Sequence, residues 1–333
     1  MSIRLHLNES PYPPTPRVGE YLARYIGVLN RYESVELKEE LLRELANYVG
    51  IDRDYISLYP GSSAAIIALL KYVKRNNLRF LTTFPGFHGI NEFAELENVT
   101  VYYHALTPKS FELDLDRLLR EVDKQTVVYI ANPNNPTSNI LLHDEDSVKR
   151  LCEKASLVVI DEAYYEFSGI TFTKLLRCSL CENLVIIRTF SKAFALAGAR
   201  IGYVISSPKL LSELDRCRPL FDIAIPSMAA ALAALRDRDY MFKLVNVIKY
   251  LRDKLRSEVE NLGLYVLPSA TNFLFIELPL PGYVVAEKLR SMNILIKTYS
   301  DPGIENYIRV SVGSEEENKL FVESLKEVLA SSK

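Results

Sequence analysis

From about residue 31 to residue 205 the chain repeats one texture: a short apolar run of β-forming residues, then a longer stretch with helical spacing. The runs stand at 55–59, 79–83, 99–103, 127–131, 157–160, 184–189 and 201–205, and a first helix is expected near 34–49. Runs this short and continuously apolar read as strands buried on both faces. Parallel neighbours need a crossover, usually a helix, to join them. The pattern therefore predicts an α/β three-layer sandwich with a mainly parallel central sheet.

After Pro226 the texture changes. An Ala-rich helix (Ser227–Leu235) and a long amphipathic one (about Tyr240–Leu262) lead into strands at 272–277, 294–297 and 306–310 and helices near 283–292 and 315–330, a smaller α+β unit. With 333 residues, 48% of them hydrophobic, the chain exceeds the size at which one core usually stops growing. We expect an N-terminal arm over 1–30, a large domain over 31–220 and a small C-terminal domain over 221–333, sharing a cleft. Pro11, Pro13, Pro14 and Pro16 argue for an extended arm that packs on the small domain or on a partner subunit.

A net charge of −2 with interspersed signs offers no field for nucleic acid, so a small-molecule substrate is expected. No apolar run approaches the roughly 20 residues of a membrane span, and no signal-peptide pattern opens the chain, so a cytoplasmic protein is expected. Cys178 and Cys181 have C-x-x-C spacing, but no second pair or His cluster completes a metal site. They read as reduced cysteines in a turn, and no metal is expected.

In an open parallel sheet, ligands bind beyond the carboxyl ends of the strands. After 55–59 comes Gly61-Ser62-Ser63, opening a helix whose free amides could cup a phosphate or simply be capped. Phe87, after 79–83, could cover a flat heterocycle or belong to the core. The loop Asn132-Pro133-Asn134-Asn135-Pro136-Thr137 offers side-chain amides, and a purely structural loop would not need three asparagines. Asp161 ends a buried strand, where an unpaired charge is expensive, and so needs a cationic partner such as a protonated pyridine nitrogen. Glu162 points the other way and reads as structural. Lys192 comes after 184–189 among apolar and small residues, where burial would make its amine nucleophilic and fit for Schiff-base chemistry. A snorkelling surface lysine is the other reading, and Ser191 and Arg200, suited to a phosphate, tilt against it.

These segments, Asn132 to Thr137, Asp161-Glu162-Ala163-Tyr164 and Arg188 to Arg200, resemble in order and spacing the signature blocks of fold-type I pyridoxal-phosphate aminotransferases, and of the histidinol-phosphate aminotransferase family in particular. The resemblance runs from Leu7-Asn8-Glu9 to Gly313. It implies pyridoxal 5′-phosphate as cofactor, with Lys192 forming the internal aldimine and Asp161 pairing with the pyridine nitrogen. Asn135 and Tyr164 would bond the phenolic oxygen, Phe87 would stack on the ring, and Ser62, Ser63, Ser191 and Arg200 would hold the phosphate. Tyr32 resembles the tyrosine that reaches the cofactor of the neighbouring subunit, which makes a homodimer part of the site. Lys192, Asp161 and Tyr164 would be catalytic, and Tyr12, Asn135, Lys297 and Arg309 would contact substrate. The reaction implied is amino transfer between a histidinol-phosphate-like or aromatic donor and 2-oxoglutarate.

The chain departs from the family pattern at Ser63-Ala64, where Asp-Glu is usual, and at Ser138, where glycine is usual. Lys297 stands where the family carries a second arginine beside the one matched by Arg309. Lysine is a flexible point charge and cannot supply a planar fork, so this change bears on the substrate. The nearest rival keeps the cofactor and changes the reaction to decarboxylation, as in the similar threonine-phosphate decarboxylases. A non-catalytic regulator is a third reading, for which the arm leaves no room for a winged-helix module.

Overall fold

The computed structural model describes residues 2–331. Met1, Ser332 and Lys333, at the outer ends of the first and last expected segments, lie outside the described residues. The chain opens with β1 (Ile3–Arg4), α1 (Arg17–Tyr25), α2 (Val35–Val49), β2 (Ile56–Tyr59), α3 (Ser62–Arg75), β3 (Arg79–Phe84), α4 (Gly89–Glu97) and β4 (Val101–Ala105). It continues through α5 (Leu115–Glu121), β5 (Thr126–Ala131), α6 (Glu145–Lys154), β6 (Leu157–Asp161), α7 (Tyr165–Ser168), α8 (Thr173–Arg177), β7 (Leu184–Thr189), β8 (Gly202–Ser206) and α9 (Pro208–Asp215). The last part holds α10 (Ile225–Leu235), α11 (Arg238–Glu260), β9 (Tyr265–Val266), β10 (Phe273–Glu277), α12 (Gly282–Ser291), β11 (Ile294–Leu295), β12 (Lys297–Thr298), β13 (Tyr307–Ser311) and α13 (Glu315–Ala330).

Seven strands form the central sheet in the order β2-β8-β7-β6-β5-β3-β4, and β8 alone runs against its neighbours. Alternation along β6 sends Val158 and Ile160 into one core layer and Leu157 and Val159 into the other, so helices cover both faces as expected. The layer with Leu157 and Val159 packs on α3, α4 and α9, and the opposite layer on α2, α5, α6 and α10. Helix α2 shows why such segments are helical: Ser34 caps its start, Gly50 ends it in the left-handed conformation, and Leu37, Leu41 and Leu45 bury one stripe. In α10 every residue but Pro226 and Ser227 is buried, and its small alanines let it pack closely on α1 and α2.

A second, antiparallel sheet, β12-β13-β10-β9, shares a core with α12, α13 and the end of α11. Helix α11 joins the cores, placing Leu244 and Ile248 in the larger and Leu255 and Val259 in the smaller. The N-terminal residues are only partly extended. Proline is tolerated at a helix start, so after Pro16 the segment Arg17–Tyr25 coils into α1 and buries Val18 and Tyr21. Before it, β1 pairs in parallel with β11. The run expected as one strand at 294–297 divides: Ile294–Leu295 serves β1, and Lys297–Thr298 pairs with β13. Among the described residues, no helix is long and apolar enough to cross a membrane.

Candidate active site

At the carboxyl ends of β5, β6 and β7 a cavity of about 410 Å³ is lined by Asn135, Asp161, Tyr164, Ser191, Lys192 and Arg200. Ser62, Ser63, Phe87 and Arg309 also line it, and the N-terminal residues Leu7, Asn8 and Glu9 close one side. Larger hollows lie elsewhere on the surface but bring together none of this chemistry. Tyr12, Tyr32 and Lys297 do not line the cavity.

Asp161 ends β6 with its carboxylate buried. Tyr129 Oη donates to Oδ2 at 2.5 Å, and the Ala163 amide donates to Oδ1 at 3.0 Å. Burial nevertheless raises its pKa to about 6, against the pull of these donors. Lys192 behaves in the opposite sense. Its Nζ donates to the Leu7 carbonyl at 3.1 Å and lies 6.0 Å from the centre of the Tyr164 ring. Burial, aided by the positive charges of Arg309 and Arg200, lowers its pKa to about 8. Two titratable groups pushed in opposite directions in one cavity are the mark of an acid–base site.

Tyr164 is buried, accepts a hydrogen bond from Asn8 Nδ2 at 3.0 Å, and has its ionisation pushed up to about 12 by burial. Asn135 Oδ1 accepts from Arg309 Nη1 at 2.7 Å, while Arg309 Nη2 donates to the His6 carbonyl at 2.6 Å and Nε has no partner among the described residues. The other asparagines of the loop are structural. Asn132 bonds the backbone of Leu141 and Leu142, and Asn134 reaches the Pro85 carbonyl and Thr137. Two of the three therefore hold the loop that presents the third, contrary to the reading that a structural loop would not need them.

The anion cup is built by close approach. Gly61 lies in the left-handed region (φ 84°), and a Cβ there would stand 2.7 Å from Arg200 Nη2. No side chain caps α3, so its first amides stay open beside Ser62 and Ser63. Ser191, buried, receives a hydrogen bond from Thr189 Oγ1 at 2.9 Å. Phe87 both lines the cavity and packs on Phe93, with ring centres 6.4 Å apart.

Glu162 does point away from Asp161, into a buried ion pair with Arg188. Lys297 stands directly opposite Arg309 on the β12–β13 ladder. Tyr32 is 83% exposed and stacks on Phe221 at 5.5 Å. Cys181 is buried and Cys178 exposed, and among the described residues no cluster of His, Cys, Asp and Glu could hold a metal. Tyr129, Thr189 and the arm residues Leu7 and Asn8 were not singled out from sequence as site residues. Only Leu7-Asn8-Glu9, as the start of the resemblance, could have signalled the arm.

The chain resembles a histidinol-phosphate aminotransferase of Methanothermobacter thermautotrophicus, 34% identical over 98% of this chain and 89% of the relative, and one of Pyrococcus furiosus, 33% identical over 98% and 92%. Its fold superimposes on the crystal structure of histidinol-phosphate aminotransferase from Sinorhizobium meliloti in complex with pyridoxal 5′-phosphate, with a TM-score of 0.88 and 28% identity over 100% of this chain and 92% of that one. The model of the family "Aminotransferase class I and II" matches residues 2–325, and on that match and these identities the chain belongs to the class I and II aminotransferases.

Proposed function

We propose that this aminotransferase works through pyridoxal 5′-phosphate held in the Lys192 cavity, exchanging an amino group between an amino donor and 2-oxoglutarate. The observation that carries this is the pairing of a buried Asp161, unmatched by any cation among the described residues, with a Lys192 whose amine is easily deprotonated. The residues present fit the cofactor. Asp161 offers a carboxylate to a protonated ring nitrogen, and Tyr164 and Asn135 offer polar groups for the phenolic oxygen. The open start of α3, Ser62, Ser63, Ser191 and Arg200 make a cup for a phosphate that Gly61 keeps tight. When bound, the cofactor's ring accepts the electron pair released at the substrate Cα.

Lys192 would hold the cofactor in the resting enzyme, and its amine, once freed, would take the proton from the substrate Cα and return it. An amine with a pKa near 8 can both take and give that proton near neutral pH. Asp161 would keep the ring nitrogen protonated. Phe87, which lines the cavity, would stack on the ring.

Arg309 is buried without a carboxylate partner among the described residues, which fits it to the anion of a substrate. Lys297 stands opposite it on the ladder, and a histidinol-phosphate-like or aromatic amine is the donor read for this pair, with Tyr12 and Lys297 reaching the substrate from outside the cavity lining. The second subunit completes the site. Exposed Ile26, Leu29, Tyr32, Leu220 and Phe221 suit a homodimer interface through which Tyr32 would reach the partner's cofactor phosphate. An enzyme of free amino acids and keto acids would work in the cytoplasm.

A panel of amino donors with 2-oxoglutarate tests the reaction, reading glutamate formation and carbon dioxide together. The aminotransferase reading expects glutamate that depends on the keto acid and no carbon dioxide. Carbon dioxide released without keto-acid dependence would transfer the site to the decarboxylase reading.

A further inference from the structure

Asp161 has a partner that nothing in the strand pattern marked. Tyr129 lies two residues before the end of β5 and is fully buried. In the sheet register it pairs with Val159, and Ala131 pairs with Asp161, so the Tyr129 and Asp161 side chains leave the same face. The Tyr129 ring packs near Phe80, with centres 6.0 Å apart, in a layer that apart from Tyr59 is made of apolar side chains. A hydroxyl in such a layer must find a partner, and the one it has is Asp161 Oδ2 at 2.5 Å.

The geometry has two consequences. With Oδ2 held by Tyr129 and Oδ1 held by the Ala163 amide, the plane of the carboxylate is fixed from two sides. A phenol that donates to a carboxylate also strengthens its bond as the oxygen gains charge, and so favours the ionised form against the burial that opposes it. Burial and the neighbouring carboxylate push the phenol's own ionisation well up, so it remains a donor.

We propose that Tyr129 is a positioning residue for the reaction: its hydroxyl orients the Asp161 carboxylate and keeps it charged toward the protonated ring nitrogen of the cofactor. The proposal rests on the reading that Asp161 faces that nitrogen. It differs from a packing role for Tyr129 in one respect, because it requires the effect of the hydroxyl to be felt only by a ligand that has the nitrogen.

Tyr129→Phe removes the hydroxyl and keeps the ring that packs on Phe80. The measurement is the dissociation constant of the apo-enzyme for pyridoxal 5′-phosphate and for its 1-deaza analogue, which carries carbon in place of the ring nitrogen, by fluorescence titration. Wild type is expected to prefer the natural cofactor. Y129F is expected to weaken that cofactor about tenfold while leaving the analogue within about twofold. In the Asp161→Asn background, Y129F is expected to change neither constant, because the group it acts through is gone. Parallel weakening of both ligands, or an undiminished preference in Y129F, would overturn the proposal. A wild-type enzyme that does not distinguish the two ligands would instead remove the reading of Asp161 on which the proposal stands.

Discussion

Arg188 donates from Nε and Nη2 to one oxygen of Glu162, at 3.0 and 2.8 Å, and so ties the strand that ends in Asp161 to the strand that leads into Lys192. The other Glu162 oxygen accepts the Phe172 amide at 2.9 Å, and the guanidinium also reaches Thr171 and stacks on Tyr165 at 3.7 Å. Both side chains are almost wholly buried, so removing one strands the other's charge. Glu162→Gln or Arg188→Met should each cost roughly 3–5 kcal/mol. The double variant E162Q/R188M should cost less than the sum of these two singles in thermal or urea unfolding, whereas simple additivity would mean that the two side chains do not act as a pair.

Asp161 presents the reverse case, a group that function keeps at the expense of stability. Its folded-state pKa is raised to about 6, so the folded protein binds the proton more tightly than the unfolded chain does. The stability this gives is fully present below the unfolded value near 3.9 and is lost as the pH rises through about 6. Apo-enzyme carrying Asp161→Asn should therefore gain on wild type as the pH rises from about 4 to about 6, by on the order of 2–3 kcal/mol, and hold that gain above. Its transamination should fall by orders of magnitude. An apo D161N protein with a lower midpoint than wild type at pH 8 would show that the carboxylate is stabilising where it sits.

Arg309 and Lys297 divide the substrate question. Arg309 has two nitrogens on neutral oxygens and a third without a partner among the described residues, so its charge is left for a ligand. Arg309→Lys should raise KM for both the donor and 2-oxoglutarate by about 10- to 100-fold, with kcat less affected. Lys297→Arg should improve KM severalfold for donors that carry a phosphate and leave other donors unchanged. Equal effects on both donor classes would place Lys297 away from the substrate.

A site completed by the partner's Tyr32 can be tested by mixing. In a hybrid of Lys192→Ala and Tyr32→Ala chains, one site carries both defects and the other carries neither. Mixing the two impaired proteins under conditions that exchange subunits should restore up to about a quarter of wild-type activity for random dimers. Activity no greater than the mean of the two parents would mean that each chain builds its site alone.

Much of the site was legible in the sequence because the sheet imposes a simple rule: residues at or just beyond the carboxyl end of a buried strand face the cleft. Asp161, Lys192 and Ser62 each stand at such an end, and the structure brings all three to one cavity. Tyr129 escaped because it sits inside a strand, where an aromatic residue reads as packing and only the register with β6 shows its hydroxyl aimed at Asp161. Asn8 escaped for a different reason. Its contact with Tyr164 spans 156 positions and depends on β1 pairing with β11, a two-residue ladder that leaves almost no periodic signal. Arg17–Tyr25 was hidden by the prolines before it, which forbid helix only up to Pro16.

The lysine that holds the cofactor can be identified by chemical trapping. Protein saturated with pyridoxal 5′-phosphate would be reduced with borohydride, digested and mapped by mass spectrometry, alongside Lys192→Ala. We predict one pyridoxyl group per chain, on the peptide containing Lys192, and none on the variant. A label on another lysine, or an unlabelled wild-type protein, would mean that Lys192 does not carry the cofactor.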